Sequence, residues 1–138
     1  MEGGAEADGV SNNRVTALYL VAEHGHNSVV HLLLERGANI EAKDGFRRTV
    51  FFSATLKGHI LTLKLLLEVG ANVNAKNADN RTVLLYLASE RPEKLRNAPE
   101  MIQLLLSTSI DLEAKDKIER TALHWAADTG KKDFARLL

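Results

Sequence analysis

The chain has no cysteine among its 138 residues. Disulfides, thiolate metal ligands and thiol nucleophiles are therefore excluded, and the absence suits a reducing, intracellular compartment. Net charge is also missing, with 18 Lys and Arg set against 18 Asp and Glu. No global field draws nucleic acid or an anionic membrane, so neither is expected as a partner. No apolar run approaches membrane-spanning length. The opening residues lack the basic start and apolar core of a secretory signal. The patterns HExxH, GxSxG, Walker A and GxGxxG do not occur. Ser, His and carboxylates are present, but no spacing gathers them, so neither catalysis nor a cofactor is expected.

What is present is ordinary in amount and unusual in order. At 45% apolar and 26% charged residues, the composition is that of a globular protein, and the length is one domain's worth. Residues 1–13 are Gly/Ala-rich, carry Glu2, Glu6 and Asp8 and have no basic residue, so a disordered acidic tail is expected there. Beyond it a seven-residue box recurs. Thr121-Ala122-Leu123-His124-Trp125-Ala126-Ala127 has counterparts starting at Thr82, Thr49 and Thr16, at steps of 39, 33 and 33 residues. Gly25-His26 and Gly58-His59 follow the first two boxes, then the triplets Leu32-Leu33-Leu34 and Leu65-Leu66-Leu67. Gly37-Ala38-Asn39 and Gly70-Ala71-Asn72 close these units.

Each unit reads as two helices. Thr16 is a good N-cap for a short helix over about 17–23. Gly25 breaks it, and a second helix covers about 27–36. There Val29, Val30, Leu32, Leu33 and Leu34 occupy most of the circumference, with His31 and Glu35 as a polar stripe, so burial on both flanks is expected. In the second unit Ile60, Leu61, Leu63, Leu65, Leu66 and Leu67 are the apolar set, with Lys64 and Glu68 as the stripe. Gly37 and Gly70 offer left-handed stops. The third unit carries six extra residues within about 90–99, expected as an exposed loop or helix extension. Asn97-Ala98-Pro99-Glu100 then reads as an N-cap with Pro in the first turn and a capping Glu. Ser109 stands where the stop glycine should be, and is expected to be held strained in a left-handed conformation. The fourth unit stops at Leu138, part-way through its second helix. A lone helix pair of this kind cannot bury its own apolar surface, so neighbours must stack.

The 33-residue period, the TPLHxA-like box, the Gly-His pair, the leucine triplet and the Gly-Ala-Asn tail together resemble the ankyrin repeat, over roughly residues 13–138. The resemblance implies an all-α solenoid of helix-turn-helix units with projecting β-hairpin turns. Repeats are expected over 14–43, 44–76, 77–115 with the insertion, and 116–138, truncated. The sequence departs from the family at several places. The Pro of the box is Ala17, Val50, Val83 and Ala122, and its His survives only as His124. The hairpin Gly is Arg14, Arg47, Asn80 and Glu119.

Arrays of this family bind proteins through hairpin tips and the concave face of their first helices, so the resemblance implies a non-catalytic interaction module for a protein partner. Mapped here, the partner-binding candidates are Phe46, Arg48, Asp79, Arg81, Lys117, Ile118 and Arg120 on the hairpins, and Leu56, Lys57 and Glu90 at first-helix ends. Arg48, Arg81 and Arg120, with Lys43, Lys76 and Lys115, form a ladder of positive charge. It reads either as a groove for an acidic peptide or as template residues paired locally with Glu41, Asp44, Asp79, Glu113 and Asp116. Phe46 and Ile118 are apolar at tips where water favours polar residues, and are candidate anchors. His24 and His26, with His31 beyond them, suggest a metal site at first sight, but the two flank a glycine at a helix end with no third ligand fixed at a metal-like spacing, so no metal is expected. Asn74 resembles the asparagine modified by hydroxylases in ankyrin repeats, although the usual acidic residue two before it is Asn72. The chain is expected to be a monomer, with association through the open C-terminal end as the alternative. It also reads as a segment of a longer array.

Overall fold

A computed structural model describes residues 5–138 of the chain. Among them are eight α-helices and no strand: α1 (Ala17–Glu23), α2 (Asn27–Glu35), α3 (Val50–Lys57), α4 (Ile60–Glu68), α5 (Val83–Ser89), α6 (Ala98–Leu106), α7 (Ala122–Asp128) and α8 (Lys132–Leu137). The helices form where the apolar phase places them, two to each repeat. Each first helix starts on its threonine. The Thr16, Thr49 and Thr82 hydroxyl oxygens accept from the amides of Tyr19, Phe52 and Leu85 at 3.2, 3.3 and 3.3 Å. Thr121 differs, its own amide donating to Nδ1 of His124 at 3.2 Å. The chain divides into two compact units, one ending at Asn72 and one beginning at Val73.

In the first unit α1 lies beside α3 and α2 beside α4, while each first helix packs on the second helix of its own repeat. The core is the seam between them, with Leu18, Val30, Phe51, Leu63 and Leu66 fully buried. Gly25 belongs to this seam. At φ +71° it takes the left-handed form, and a Cβ there would meet the His59 ring at 2.8 Å. His59 Nε2 donates to the Glu23 carbonyl at 2.9 Å, so the recurring Gly-His pair is an inter-repeat clasp. In the second unit α5 lies beside α7, and Leu84, Leu87, Met101 and Leu105 form the core.

Several expectations need correction. The second helices are not buried on both flanks: Val29 and Leu32 of α2 are exposed, and Leu61 of α4 is 63% exposed. Both form the outer layer of their unit, where one side meets water whatever its residues. The β-hairpins reduce to single bridges, Val10 with Thr16 and Lys43 with Thr49. Gly37 and Gly70 are left-handed at φ +78° and +84°, but Ser109 is not. Instead α6 ends through hydroxyls, the Ser107 Oγ donating to the Leu104 carbonyl at 2.6 Å and the Thr108 Oγ1 to the Leu105 carbonyl at 2.5 Å. Asn97 is the N-cap residue of α6 but makes no side-chain cap bond, because it is itself left-handed at φ +52°. The insertion contains a single 3-10 turn, Pro92–Lys94, and Leu95 after it is half-buried. Of the tail expected over residues 1–13, residues 1–4 lie outside the described residues. From Val10 the chain is tied into the first turn.

Candidate functional site

The hairpin turns share one backbone plan. In each, the first residue (Ser11, Asp44, Asn77 or Asp116) donates its N–H to the carbonyl four residues on, at 3.0–3.1 Å. The residue three places on donates back to it, and that residue is left-handed: Arg14, Arg47, Asn80 and Glu119 at φ +61°, +59°, +60° and +61°. This is a type I turn followed by a left-handed bulge residue, which glycine usually occupies. The departures from the hairpin glycine therefore sit on a strained backbone. An L-residue there costs about 1 kcal/mol, less for asparagine.

Side chains at the first turn position staple the loops. Asp44 Oδ1 accepts from the amides of Phe46 and Arg48, both at 2.9 Å. Asp116 Oδ1 accepts from Ile118 and Arg120 at 3.0 and 3.1 Å, and Asn77 Oδ1 from Asp79 and Arg81 at 2.9 and 3.0 Å. Asp44 and Asp116 are only 6% and 3% exposed, and their second oxygens are used as well. Asp44 Oδ2 receives the Tyr19 hydroxyl at 2.7 Å and the Arg48 guanidinium at 2.7 Å. Asp116 Oδ2 receives the Trp125 indole N–H at 2.8 Å and faces Arg81 Nε at 3.7 Å. Burial alone would raise both carboxyl pKa values. Backbone amides, the Tyr19 or Trp125 donor and the neighbouring guanidinium outweigh it and hold both below the ordinary value. Burial and the Asp44 bond push the Tyr19 phenol up to about 12. The sequence marks these aspartates as pairing partners for the ladder arginines, but not as the hubs of their turns. The in-phase recurrence of Asp, Asn or Ser five residues before each box was the available signal.

The arginines of the cationic ladder are each engaged within the chain, as are Lys76 and Lys115. Arg48 pairs with Asp44. Arg81 Nη1 donates to Ser89 Oγ at 3.2 Å, and Arg120 pairs with Asp128 at 3.0 Å. Lys115 pairs with Glu119 at 3.4 Å, and the Lys76 ammonium donates to the Lys115 carbonyl at 3.2 Å. Trp125 lies between the guanidinium groups of Arg81 and Arg120, 4.6 and 4.8 Å from its ring centre. Phe46 and Ile118 stand in water, 68% and 61% exposed, with Arg48 4.9 Å above the Phe46 ring. Lys117 and Asp79 face each other at 4.0 Å. At the first-helix ends Leu56 is half-buried, Lys57 pairs with Glu23 at 3.7 Å, and Glu90 pairs with Lys94 at 3.8 Å.

Asn74 has a structural task. Its Oδ1 accepts from the Asp111 amide at 2.8 Å and its Nδ2 donates to the Ser109 carbonyl at 3.1 Å. Glu41 does likewise for the Asn72 amide at 2.8 Å, and Asp8 for the Asn39 amide at 2.7 Å. A polar side chain at this position thus clips one repeat to the next, and hydroxylation of Asn74 would act on a side chain engaged at both ends. Near α8 a cleft of about 440 Å³ opens between Leu95, Ile102, Phe134 and Leu137. Lys131 at its rim donates to the Leu87 carbonyl at 2.7 Å, and burial lowers its pKa, partly offset by Glu90 and Glu93. His24 and His26 are stacked with ring centres 5.9 Å apart. No helix among the described residues is long and apolar enough to cross a membrane.

Paired helices, glycine stops and stapled turns repeating in phase define a helical repeat protein. The family model "Ankyrin repeats (3 copies)" matches residues 1–77, 18–116 and 54–138, and the chain belongs to the ankyrin repeat family. Ankyrin repeats are in general protein–protein interaction modules, and their domains are typically non-catalytic. A comparison with curated proteins gives no match.

Proposed function

We propose that this chain is a non-catalytic module that binds a protein partner with its hairpin tips and the adjoining face of its first helices. The exposure of Phe46 and Ile118 carries the reading. Both follow a buried aspartate by two residues, on turns whose polar groups are already satisfied. Neither is needed to fill a core, and each offers a partner a large apolar surface on a rigid support. The polar residues around them, Lys117 and Asp79 among them, suit the rim of such an interface.

The test is capture of partner protein from cell extract by the chain and by its Phe46→Ala and Ile118→Ala variants. Each substitution is expected to weaken capture about tenfold, as truncation of an interface anchor does. Thermal unfolding should not change, because both side chains are in water. Capture unaffected by both substitutions would remove the reading.

A further inference from the structure

Two of the left-handed tip residues are arginines, Arg14 and Arg47, and both belong to the first unit. Glycine would hold the same turn without strain. Strain retained at an exposed tip points to a use for the side chain. Their charges are treated differently from those of the ladder. Arg48, Arg81 and Arg120 face Asp44, Asp116 and Asp128, whereas no carboxylate among the described residues pairs with Arg14 or Arg47. Among the described residues, each is seen to bond through its backbone N–H, to the Ser11 or the Asp44 carbonyl.

The two tips adjoin, since the Gly45 amide donates to the Asn13 carbonyl at 3.2 Å. Between them lies a cleft of about 490 Å³ walled by residues 12–15 and 44–46, in which the one carboxylate, Asp44, is buried and bonded to Tyr19 and Arg48. The balance of charge is one-sided. Turns 11–16 and 44–49 hold three arginines against one carboxylate, and that carboxylate is buried and paired with Arg48. Turns 77–82 and 116–121 of the second unit balance Arg81, Lys117 and Arg120 with Asp79, Asp116 and Glu119.

We infer that the first unit's tips dock an acidic peptide segment bearing a bulky apolar side chain. That side chain enters the cleft beside Phe46, and flanking Asp or Glu carboxylates meet Arg14 and Arg47. The proposal rests on the reading that the tips bind a protein, and it names which tips and what chemistry. A nucleic acid fits less well, because an extended phosphate backbone needs many cations and these two tips offer it only Arg14 and Arg47 outside an ion pair with a described carboxylate.

The test uses the whole chain and a short labelled peptide of one central phenylalanine flanked on each side by glutamates, followed by fluorescence anisotropy. The double variant Arg14→Gly/Arg47→Gly is expected to weaken binding by about tenfold or more. Its urea midpoint should rise, because glycine suits φ near +60°, so lost binding cannot be lost folding. Binding should weaken with added salt, and replacing the peptide's phenylalanine by alanine should weaken it further. Arg36→Ala, which removes an exposed charge at the end of α2, should leave binding unchanged. Three results overturn the proposal: no binding of the peptide, equal binding by the double variant, or a thymidine oligonucleotide bound more tightly through the same two arginines. If capture from extract depends on Ile118 but not on Arg14 and Arg47, tip binding stands and this assignment falls. If capture depends on none of Phe46, Ile118 and the arginines, both fall.

Discussion

The two units solve one problem with exchanged parts. Each contains a buried aspartate at the start of its second repeat, Asp44 or Asp116, and each must saturate both carboxylate oxygens. In the first unit the aromatic donor, Tyr19, comes from the preceding repeat and the arginine, Arg48, from the same turn. In the second unit the aromatic donor, Trp125, comes from the same repeat and an arginine, Arg81, from the preceding turn. The repeat therefore requires one aromatic N–H or O–H and one guanidinium at the carboxylate, but leaves open which repeat supplies each. The choice shapes the surface. Drawing Arg81 and Arg120 onto Trp125 leaves the second unit's tips neutral and occupied. Satisfying Asp44 with Tyr19 and Arg48 leaves Arg14 and Arg47 outside the network.

The largest effect should come from removing the staples. Asp44→Ala leaves the Tyr19 hydroxyl and Arg48 without their buried partner, and should lower stability by about 3 kcal/mol in urea denaturation. Asp116→Ala should lose somewhat less, because Arg81 is 3.7 Å away and keeps Ser89 and Trp125. Asn77→Ala removes only two turn hydrogen bonds to a neutral side chain and should lose about 1 kcal/mol. Equal losses at Asp44 and Asn77 would mean that the charge and its aromatic partner add nothing to the turn.

The same comparison marks how far the sequence could be read. The helices and their threonine caps were legible because box, triplet and glycine recur in phase, so a single misleading residue could not shift the register. The left-handed tips at Arg14, Arg47, Asn80 and Glu119 were legible as replaced glycines. The aspartate hubs were not. Their partners lie in another repeat or a helix away, and no local spacing says whether Tyr19 or Trp125 will turn toward them. The Asp8, Glu41 and Asn74 clips were hidden for the same reason, since each bonds to an amide 31 or 37 residues further on. Exposure of Val29, Leu32 and Leu61 escaped the pattern because apolar residues on an outer helix look like core until the layers are known. The exposure of Phe46 and Ile118 at their tips could be read, but choosing between the two readings of the ladder arginines needed distances.

pH separates the units next. The Asp44 and Asp116 carboxyls titrate below their ordinary value when folded. Their contribution is complete above the unfolded value of about 4 and is lost as pH falls through the folded one, so both units share an acid limb. The Tyr19 phenol titrates near 12 when folded, against an ordinary 10.0. Its contribution is complete below 10 and is lost as pH rises toward 12. Trp125, its counterpart at Asp116, does not titrate, so the part of the alkaline limb that comes from these aspartate hubs belongs to the first unit. Melting temperature against pH should show both limbs, and Tyr19→Phe should make the alkaline one shallower while leaving the acid one in place. An alkaline limb unchanged by Tyr19→Phe would break the assignment.

The strained tips give the next smaller effects, of opposite sign. Arg47→Gly in the first unit and Glu119→Gly in the second should each raise stability by about 1 kcal/mol, and Asn80→Gly by a few tenths, since asparagine tolerates this backbone better. Urea midpoints of the three variants check the order. A loss at Glu119→Gly would show that its ion pair with Lys115 outweighs the strain.

The smallest effect tests the ends of the second helices. Gly37 and Gly70 close α2 and α4 in the first unit with φ near +80°, their own and the following N–H groups turned back to helix carbonyls. A Cβ at either would meet nothing within 4 Å, so Gly37→Ala should cost about 1 kcal/mol through the backbone alone. Ser109 occupies the matching place in the second unit with an ordinary backbone, and its carbonyl, rather than its side chain, receives the Asn74 amide. Glycine there removes no bond and relieves no strain; it only loosens the unfolded chain. Ser109→Gly should therefore lower stability by about 0.5 kcal/mol. The difference from Arg47→Gly is one of sign, which a pair of urea curves resolves even when the magnitudes are small. A rise at Ser109→Gly would place that residue in the left-handed region after all, and would make the third repeat end as the first two do.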